Sequence, residues 1–391
     1  MSLPRVFERG DEFISEYDRR SPWWNTFSRA NCLLAVGFSK LVLNTFYNHK
    51  LHGLERIEAA LKKSQEENRG LMTVMNHMSV VDDPFLWGFF PWRMYHDVDQ
   101  IRWGLAAHNV CFTSPALSNF FSLGKILSTQ RFGVGPFQGS IDAAVRIMSP
   151  DDTLDLVFDY DTFDKKKKDV WVDQTVLVKK VKDDYLPPMI RSKPSWIHVF
   201  PEGFVLQLQP PFNNSMRYFK WGITRIILES TRQPIIVPMF GHGFEKIMPE
   251  AVADEKSLLD RFLPSNRGSD VHVYIGEPID EKIIQKYREE WIQLVNWYGD
   301  KSGDLTDELK FGKKAEDLRS RLASELRKHV AHIRDTEAGF PPEDPRFKEH
   351  KWWKQYTLSE GESDKEVKFI GSNWAIRRLQ KFLQEEEKGD K

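Results

Sequence analysis

A histidine and an aspartate, His77 and Asp82, stand five positions apart in the stretch Leu71 to Phe90, LMTVMNHMSVVDDPFLWGFF. A carboxylate that holds one imidazole nitrogen protonated leaves the other free to take a proton from a hydroxyl, so the pair suits general-base chemistry. On one continuous helix, residues five apart point about 140° away from each other and cannot share a site. The spacing therefore needs a break, with His77 in a loop, Asp82 at a helix entrance, and the chain folded back between them. Taken alone, the pair reads equally as a loop histidine beside a capping aspartate. A metal reading of His77, Asp82 and Asp83 lacks a second ligand cluster, and no Gly-x-Ser-x-Gly elbow occurs to carry a serine nucleophile.

Three further groups have types that fit an anionic ligand. Arg131 precedes the turn GVGPFQG, in which Gly133 and Gly135 let backbone N–H groups approach a phosphate at the start of a helix. That turn misses the dinucleotide fingerprint, because its third glycine falls one residue late, and no Walker motif is present. Glu202 and Gly203 form the turn that ends IHVFPEG. Arg217 and Lys220 stand at i and i+3 in a stretch that reads as a helix from Ser215 to Thr231. They would share a face able to meet a phosphodiester, or simply a solvated one.

The elements that must position these groups alternate. Leu71 to Met75, Ile126 to Arg131, Ile197 to Phe200 running into the Pro-Glu-Gly turn, Pro234 to Phe240 and VHVYIG at 271–276 read as buried strands. Asp83 reads as an N-cap with Pro84 at the first helical position. Helical patterns cover about 280–298 and 306–335. Strands alternating with helices indicate an α/β architecture with the site on loops at strand ends.

At 391 residues the chain can bury a large core, and its formal charge of −1 gives no reason to expect nucleic acid as a partner. Cys32 and Cys111 make neither a disulfide framework nor a zinc set. The chain lacks any run of 18 apolar residues. Its acidic first 20 residues fit neither a secretory signal nor a usual cleavable mitochondrial presequence. From Ser21-Pro22 a helical pattern runs to about Tyr47, with Trp23, Phe27, Ala30, Leu34, Phe38 and Leu41 in one stripe. The stripe suits either a core helix or an interfacial or re-entrant membrane segment, with Lys40 reaching out to the interface. Residues 150–193 are blocks of charge and read as an insertion, a loop or small hairpin.

Asn76-His77, four residues and Asp82, then Arg131 with its Gly-rich turn, then Phe200-Pro201-Glu202-Gly203, then the strand PIIVPMF form an ordered four-block pattern. This pattern resembles the glycerolipid acyltransferase family. The likeness extends through IRWGLAAHNVCF, FFSLGK, RFGVGPFQGSID and MRYFKWGITRIILE and fades near His332. It implies a mixed central sheet covered by helices. The divisions expected are a membrane-associating region at 1–50, an acyltransferase domain at 51–335 and a charged extension at 336–391. It further implies direct acyl transfer without a cofactor or metal. His77 would act as base oriented by Asp82, with Arg131 and the Glu202-Gly203 turn holding the glycerophosphate. The branch it resembles works as phospholipid–lysophospholipid transacylases without coenzyme A. Their substrates are cardiolipin and monolysocardiolipin, on mitochondrial membranes facing the intermembrane space, with monotopic attachment. The motifs alone fit an acyl-CoA-dependent lysophosphatidate acyltransferase almost as well. A non-catalytic membrane-binding protein would keep the amphipathic elements without needing His77. A homo-oligomer is left open.

Overall fold

The computed structural model of the chain describes residues 3–97, 100–131, 135–150, 156–158, 177–179, 186–208, 212, 214–249, 265–353, 383, 385, 386 and 388. Its centre is a seven-stranded sheet of β1 (Asn48–His52), β2 (Leu71–Met75), β3 (Trp103–Ala107), β4 (Ile126–Thr129), β7 (Trp196–Val199), β8 (Ile235–His242) and β9 (Asp270–Ile275). The spatial order is β1-β9-β8-β2-β7-β3-β4. All neighbours are parallel except β8 and β9, which run antiparallel, so the sheet is mixed as expected. A separate antiparallel pair, β5 (Leu156–Phe158) with β6 (Leu177–Lys179), falls inside the charged insertion.

Successive side chains of a strand point to opposite faces, and here both faces are covered. Met72 and Val74 of β2, with Ile197 and Val199 of β7, join a core under α7 (Gly139–Met148), α8 (Thr224–Glu229) and the long helices Glu281–Tyr298 and Lys313–Thr336. Leu71 and Met75 of β2, with Ile235, Val237 and Met239 of β8, join the opposite core under α2 (Pro22–Phe46), α3 (Leu54–Glu66) and α4 (Asp82–Phe89). This is why the strands read as continuous apolar runs.

Several elements differ from the sequence expectation. The first 20 residues, which are charged and lack a sustained apolar face in sequence, form α1 (Pro4–Ser15), which buries Val6, Phe7, Gly10 and Ile14 against α7. A Cβ on Gly10 would fall 2.7 Å from the Asp142 carbonyl oxygen, so only glycine allows this approach. The cap of α4 is Val81, and Asp82 and Asp83 both lie in its first turn, because the Asp82 carboxylate bonds backward into the preceding loop. The expected helix from Ser215 to Thr231 is helical only from Trp221, as a short 3-10 turn and α8. The helix expected over 306–335 is two, Asp307–Phe311 and Lys313–Thr336, divided at Gly312.

The stripe on α2 faces outward. Trp23, Phe27, Leu34, Phe38 and Leu41 are 47–74% exposed, while Ser28, Cys32, Val36, Ser39 and Leu43 are buried against the body. Lys40 does not reach out as expected; its amine donates to the Gly88 and Phe90 carbonyls that end α4. No helix among the described residues is long and apolar enough to cross a membrane.

Candidate active site

Four neighbouring parallel strands end on the same side of the sheet, and the loops after β2, β7, β3 and β4 meet there. Ligands of open α/β sheets bind at such carboxyl ends. The loop after β2 folds back as its spacing demands. His77 Nδ1 lies 2.9 Å from Asp82 Oδ2, and the same oxygen accepts the N–H groups of Met78 at 2.6 Å and Ser79 at 3.0 Å. With a carboxylate as acceptor, Nδ1 carries the hydrogen and Nε2 is left as the basic nitrogen. Burial pushes the Asp82 carboxyl above its usual range, and the imidazole and the two N–H donors oppose that shift. The His77 ring stacks on Phe200 at 4.5 Å between centroids and 23° between planes. Asn76 fixes the loop from the other side by exchanging two hydrogen bonds with the Gly241 backbone, at 2.8 and 2.9 Å.

Glu202 is placed beneath the site rather than in it. Its carboxylate is fully buried and accepts the N–H of His77 and the N–H of Arg217, each at 2.8 Å. Burial raises its pKa to about 8, against the pull of those two donors. The residue expected to contact substrate therefore ties the His77 loop to the 215–220 segment. The Arg217 backbone is engaged again by Arg327, whose guanidinium donates to the carbonyls of Arg217 at 2.9 Å and Met216 at 2.6 Å. With Lys220 N–H on the Pro201 carbonyl at 2.8 Å, helical hydrogen bonding is replaced by long-range pairing across 215–220. Arg217 and Lys220 thus share no helical face. They meet instead over one ring: Arg217, Lys220 and Arg131 all lie 4.5–5.4 Å from the centroid of Phe204. Arg131 also donates to Asn109 Oδ1 at 3.2 Å, and burial lowers its pKa from the ordinary guanidinium value.

Gly203 has φ of +73°, so the turn needs the left-handed conformation that glycine adopts without strain, and a Cβ there would crowd the Lys220 side chain at 3.0 Å. Gly135 also has positive φ, +67°. Gly133 lies outside the described residues.

These groups border a cavity of about 1360 Å³. His77, Arg131, Gly135, Gly203 and Lys220 line it, whereas Asp82, Glu202 and Arg217 stand behind its wall. Apolar side chains also line it, among them Leu34, Val36 and Phe38 of α2 with Phe85, Phe120 and Phe121.

Sequence reasoning missed three features. Asp83 pairs with Arg102, which lies over the Trp87 ring at 4.8 Å. His198 is buried between Trp87 and Phe200, with Nδ1 2.7 Å from the Thr73 hydroxyl, and burial pushes its pKa well down. Phe204 serves as the platform for three cations. The signal for the last was the aromatic directly after the Glu-Gly turn; the other two depend on contacts between strands far apart in sequence.

An acyltransferase family model matches residues 48–240, the span that contains all four blocks. The chain is 57% identical to the tafazzin of Saccharomyces cerevisiae over 390 residues, 99% of this chain and 98% of that one. It is 30% identical to the tafazzin of Drosophila melanogaster over 66% of this chain and 53% of that one. It is also 30% identical to an N-acylphosphatidylethanolamine synthase of Arabidopsis thaliana, over 68% of this chain and 76% of that one. Among solved structures, a 1-acyl-sn-glycerophosphate acyltransferase from Thermotoga maritima aligns with 76% of this chain and 79% of that chain, at 15% identity and a TM-score of 0.36. With likeness to one tafazzin along almost its whole length and the acyltransferase region matched, the chain belongs to the tafazzin family and is an acyltransferase.

Proposed function

We propose that the protein is a phospholipid–lysophospholipid transacylase that remodels cardiolipin by acylating monolysocardiolipin, without coenzyme A. The observation that carries this reading is the His77–Asp82 pair with His77 on the wall of a cavity that Arg131, Lys220 and many apolar side chains also line. His77 Nε2 takes the proton of the free hydroxyl of the lysolipid while that oxygen attacks the acyl ester carbonyl of the donor. The new ester bond forms, the old one breaks, and the imidazolium returns its proton to the departing alcohol. Asp82 holds Nδ1–H and stabilises the imidazolium during the interval, as the carboxylate does in a hydrolase triad. Arg131 and Lys220, on the cavity wall, hold phosphate; Arg217 sets their platform from behind, and the Glu202 carboxyl keeps both loops in register.

The volume supports a lipid, being larger than the 300–1,000 Å³ or so of an ordinary small-molecule pocket. Leu34 and Phe38 line the cavity and are also exposed on α2, so one helix can both lie in a leaflet and offer acyl chains a way in. We place the protein on mitochondrial membranes facing the intermembrane space, attached from one side; this localisation rests on the likeness to tafazzins.

The test is a donor comparison with purified protein, labelled phospholipid and lysolipid, with and without acyl-CoA. Label transfer from phospholipid alone is the expected result. Transfer that depends on acyl-CoA would replace this reading with a coenzyme-A-dependent lysophospholipid acyltransferase. No transfer from either donor would leave a membrane-binding protein.

A further inference from the structure

Away from the catalytic cavity, at the start of α2, a small cleft of about 40 Å³ opens among Arg19, Asn25, Ser28, Lys125, Arg191 and Ser195. Three of these side chains are cationic: the Lys125 amine donates to the Ile101 carbonyl and Arg191 to the Ile147 and Ser149 carbonyls and the Ser195 hydroxyl, and the cleft has no carboxylate among its described lining residues. Arg19 is the informative one. It is only 4% exposed, and its Nε has no hydrogen-bond partner. Its guanidinium is held by the Ile14 carbonyl and by three rings, Tyr17, Trp24 and Trp103, at 5.0–5.9 Å. Glu16, the acid that acts on it, forms no ion pair with it. A buried guanidinium that no carboxylate touches is costly to desolvate unless an anion completes it.

The surroundings indicate where that anion comes from. The first turn of α2 has no side-chain cap, so its positive end adds to the same field. Trp24 of α2 and Met189 and Ile190 of the facing loop line the cleft together. Ile190 is at least 60% exposed, as are Trp23 and Leu186 close by in the chain. The space holds roughly three water centres, room for the two non-bridging oxygens of one phosphodiester and too little for a whole headgroup. The rest of the ligand must lie outside, next to exposed apolar side chains.

We infer that this cleft is a second, non-catalytic phosphate site, which takes the phosphodiester of an anionic membrane lipid while the neighbouring apolar side chains enter the leaflet. It would fix the protein to anionic bilayers at the end of α2, independently of the acyl transfer proposed above.

The decisive variant is Asn25→Asp, which sets a near-isosteric carboxylate among the three cations and fills the site without removing a packed group. Arg19→Gln is the companion, with circular dichroism reporting its fold. Binding of the full chain is measured on vesicles of phosphatidylcholine alone and of phosphatidylcholine with phosphatidylglycerol. Both variants should bind the anionic vesicles about fivefold more weakly, the scale of one charge at a membrane surface, and the neutral vesicles as before. Acyl transfer by Asn25→Asp in detergent should be unchanged. An unaltered preference of Asn25→Asp for anionic vesicles would overturn the site. So would loss of its activity in detergent, which would tie the cleft to catalysis. The second arm is inorganic phosphate at matched ionic strength: millimolar phosphate should displace the wild type from anionic vesicles and leave the residual binding of Asn25→Asp unchanged, and equal displacement of both would place the phosphate effect elsewhere and overturn the site.

Discussion

The residues of the site differ in what they touch, and their variants should fail differently. His77 faces the cavity with Nε2 unengaged by Asp82, so His77→Ala should lower turnover by about 10²–10⁴-fold, the usual contribution of a general base. Asp82→Asn keeps an acceptor for Met78 and Ser79 but removes the charge beside the imidazolium, so it should lose most activity with little loss of fold. Detergent assays and circular dichroism on both variants check this, and near-normal turnover in either would remove the base mechanism. Glu202 makes a prediction in pH. Its folded pKa of about 8 lies above its ordinary value of 4.5, so the folded chain retains a proton that the unfolded chain releases. Stability from this group is fully present below about pH 4.5 and is lost as pH rises toward 8. Urea unfolding at several pH values should show that decline in the wild type. Glu202→Gln should lack that component and be weaker by about 1–3 kcal/mol at pH 5, because one backbone N–H then faces an amide NH₂.

Helix α2 sets its two faces against different surroundings. Phe27, Leu34 and Phe38 are exposed, so their replacement by Glu should release the protein from membranes while leaving its circular dichroism and protease resistance intact. Leu43, fully buried on the opposite face, should behave in reverse: Leu43→Ala should cost about 2–5 kcal/mol of stability and leave membrane affinity of the folded fraction unchanged. Vesicle flotation combined with thermal unfolding separates the two. If the Glu variants unfold, the stripe serves the fold and not the lipid.

Across the whole molecule, a line of hydrogen bonds links the catalytic loop to a segment far along the chain. His77 N–H donates to Glu202, Arg217 N–H to the other Glu202 oxygen, Arg327 to the Arg217 and Met216 carbonyls, and Arg327 with Met216 N–H to Glu343. Trp353 closes the same region, with Arg217 5.6 Å from its ring. Phe347, Trp352 and Trp353 lie outside the matched acyltransferase region yet pack in one cluster with Phe204 of the cationic platform. Glu343→Ala leaves Met216 N–H without that acceptor and Arg327 without its carboxylate. It should cost about 1–3 kcal/mol and raise KM for lysolipid more than it lowers kcat. Steady-state kinetics with chemical unfolding would show this, and an unchanged KM would confine Glu343 to stability.

Local order in the chain determined the central features. The five-residue spacing of His77 and Asp82, with Pro84 after it, forces a loop and a helix start within hydrogen-bond reach, and no distant residue is needed for that. The apolar strands were legible because both faces of the sheet are covered, and the α2 stripe was legible as a stripe. Which way that stripe faces was decided only by tertiary structure, since the opposite face, with its serines and Cys32, fits α4 and α6 (Pro115–Leu123) better than large rings do. The 215–220 segment has helical periodicity, but Glu202 and Arg327 take its backbone groups, and a pairing across more than 100 residues leaves no local signal. The same holds for Glu202: its sequence neighbours mark a turn at a site, while only the packed loops turn its carboxyl inward, where two N–H groups meet it and burial still raises its pKa.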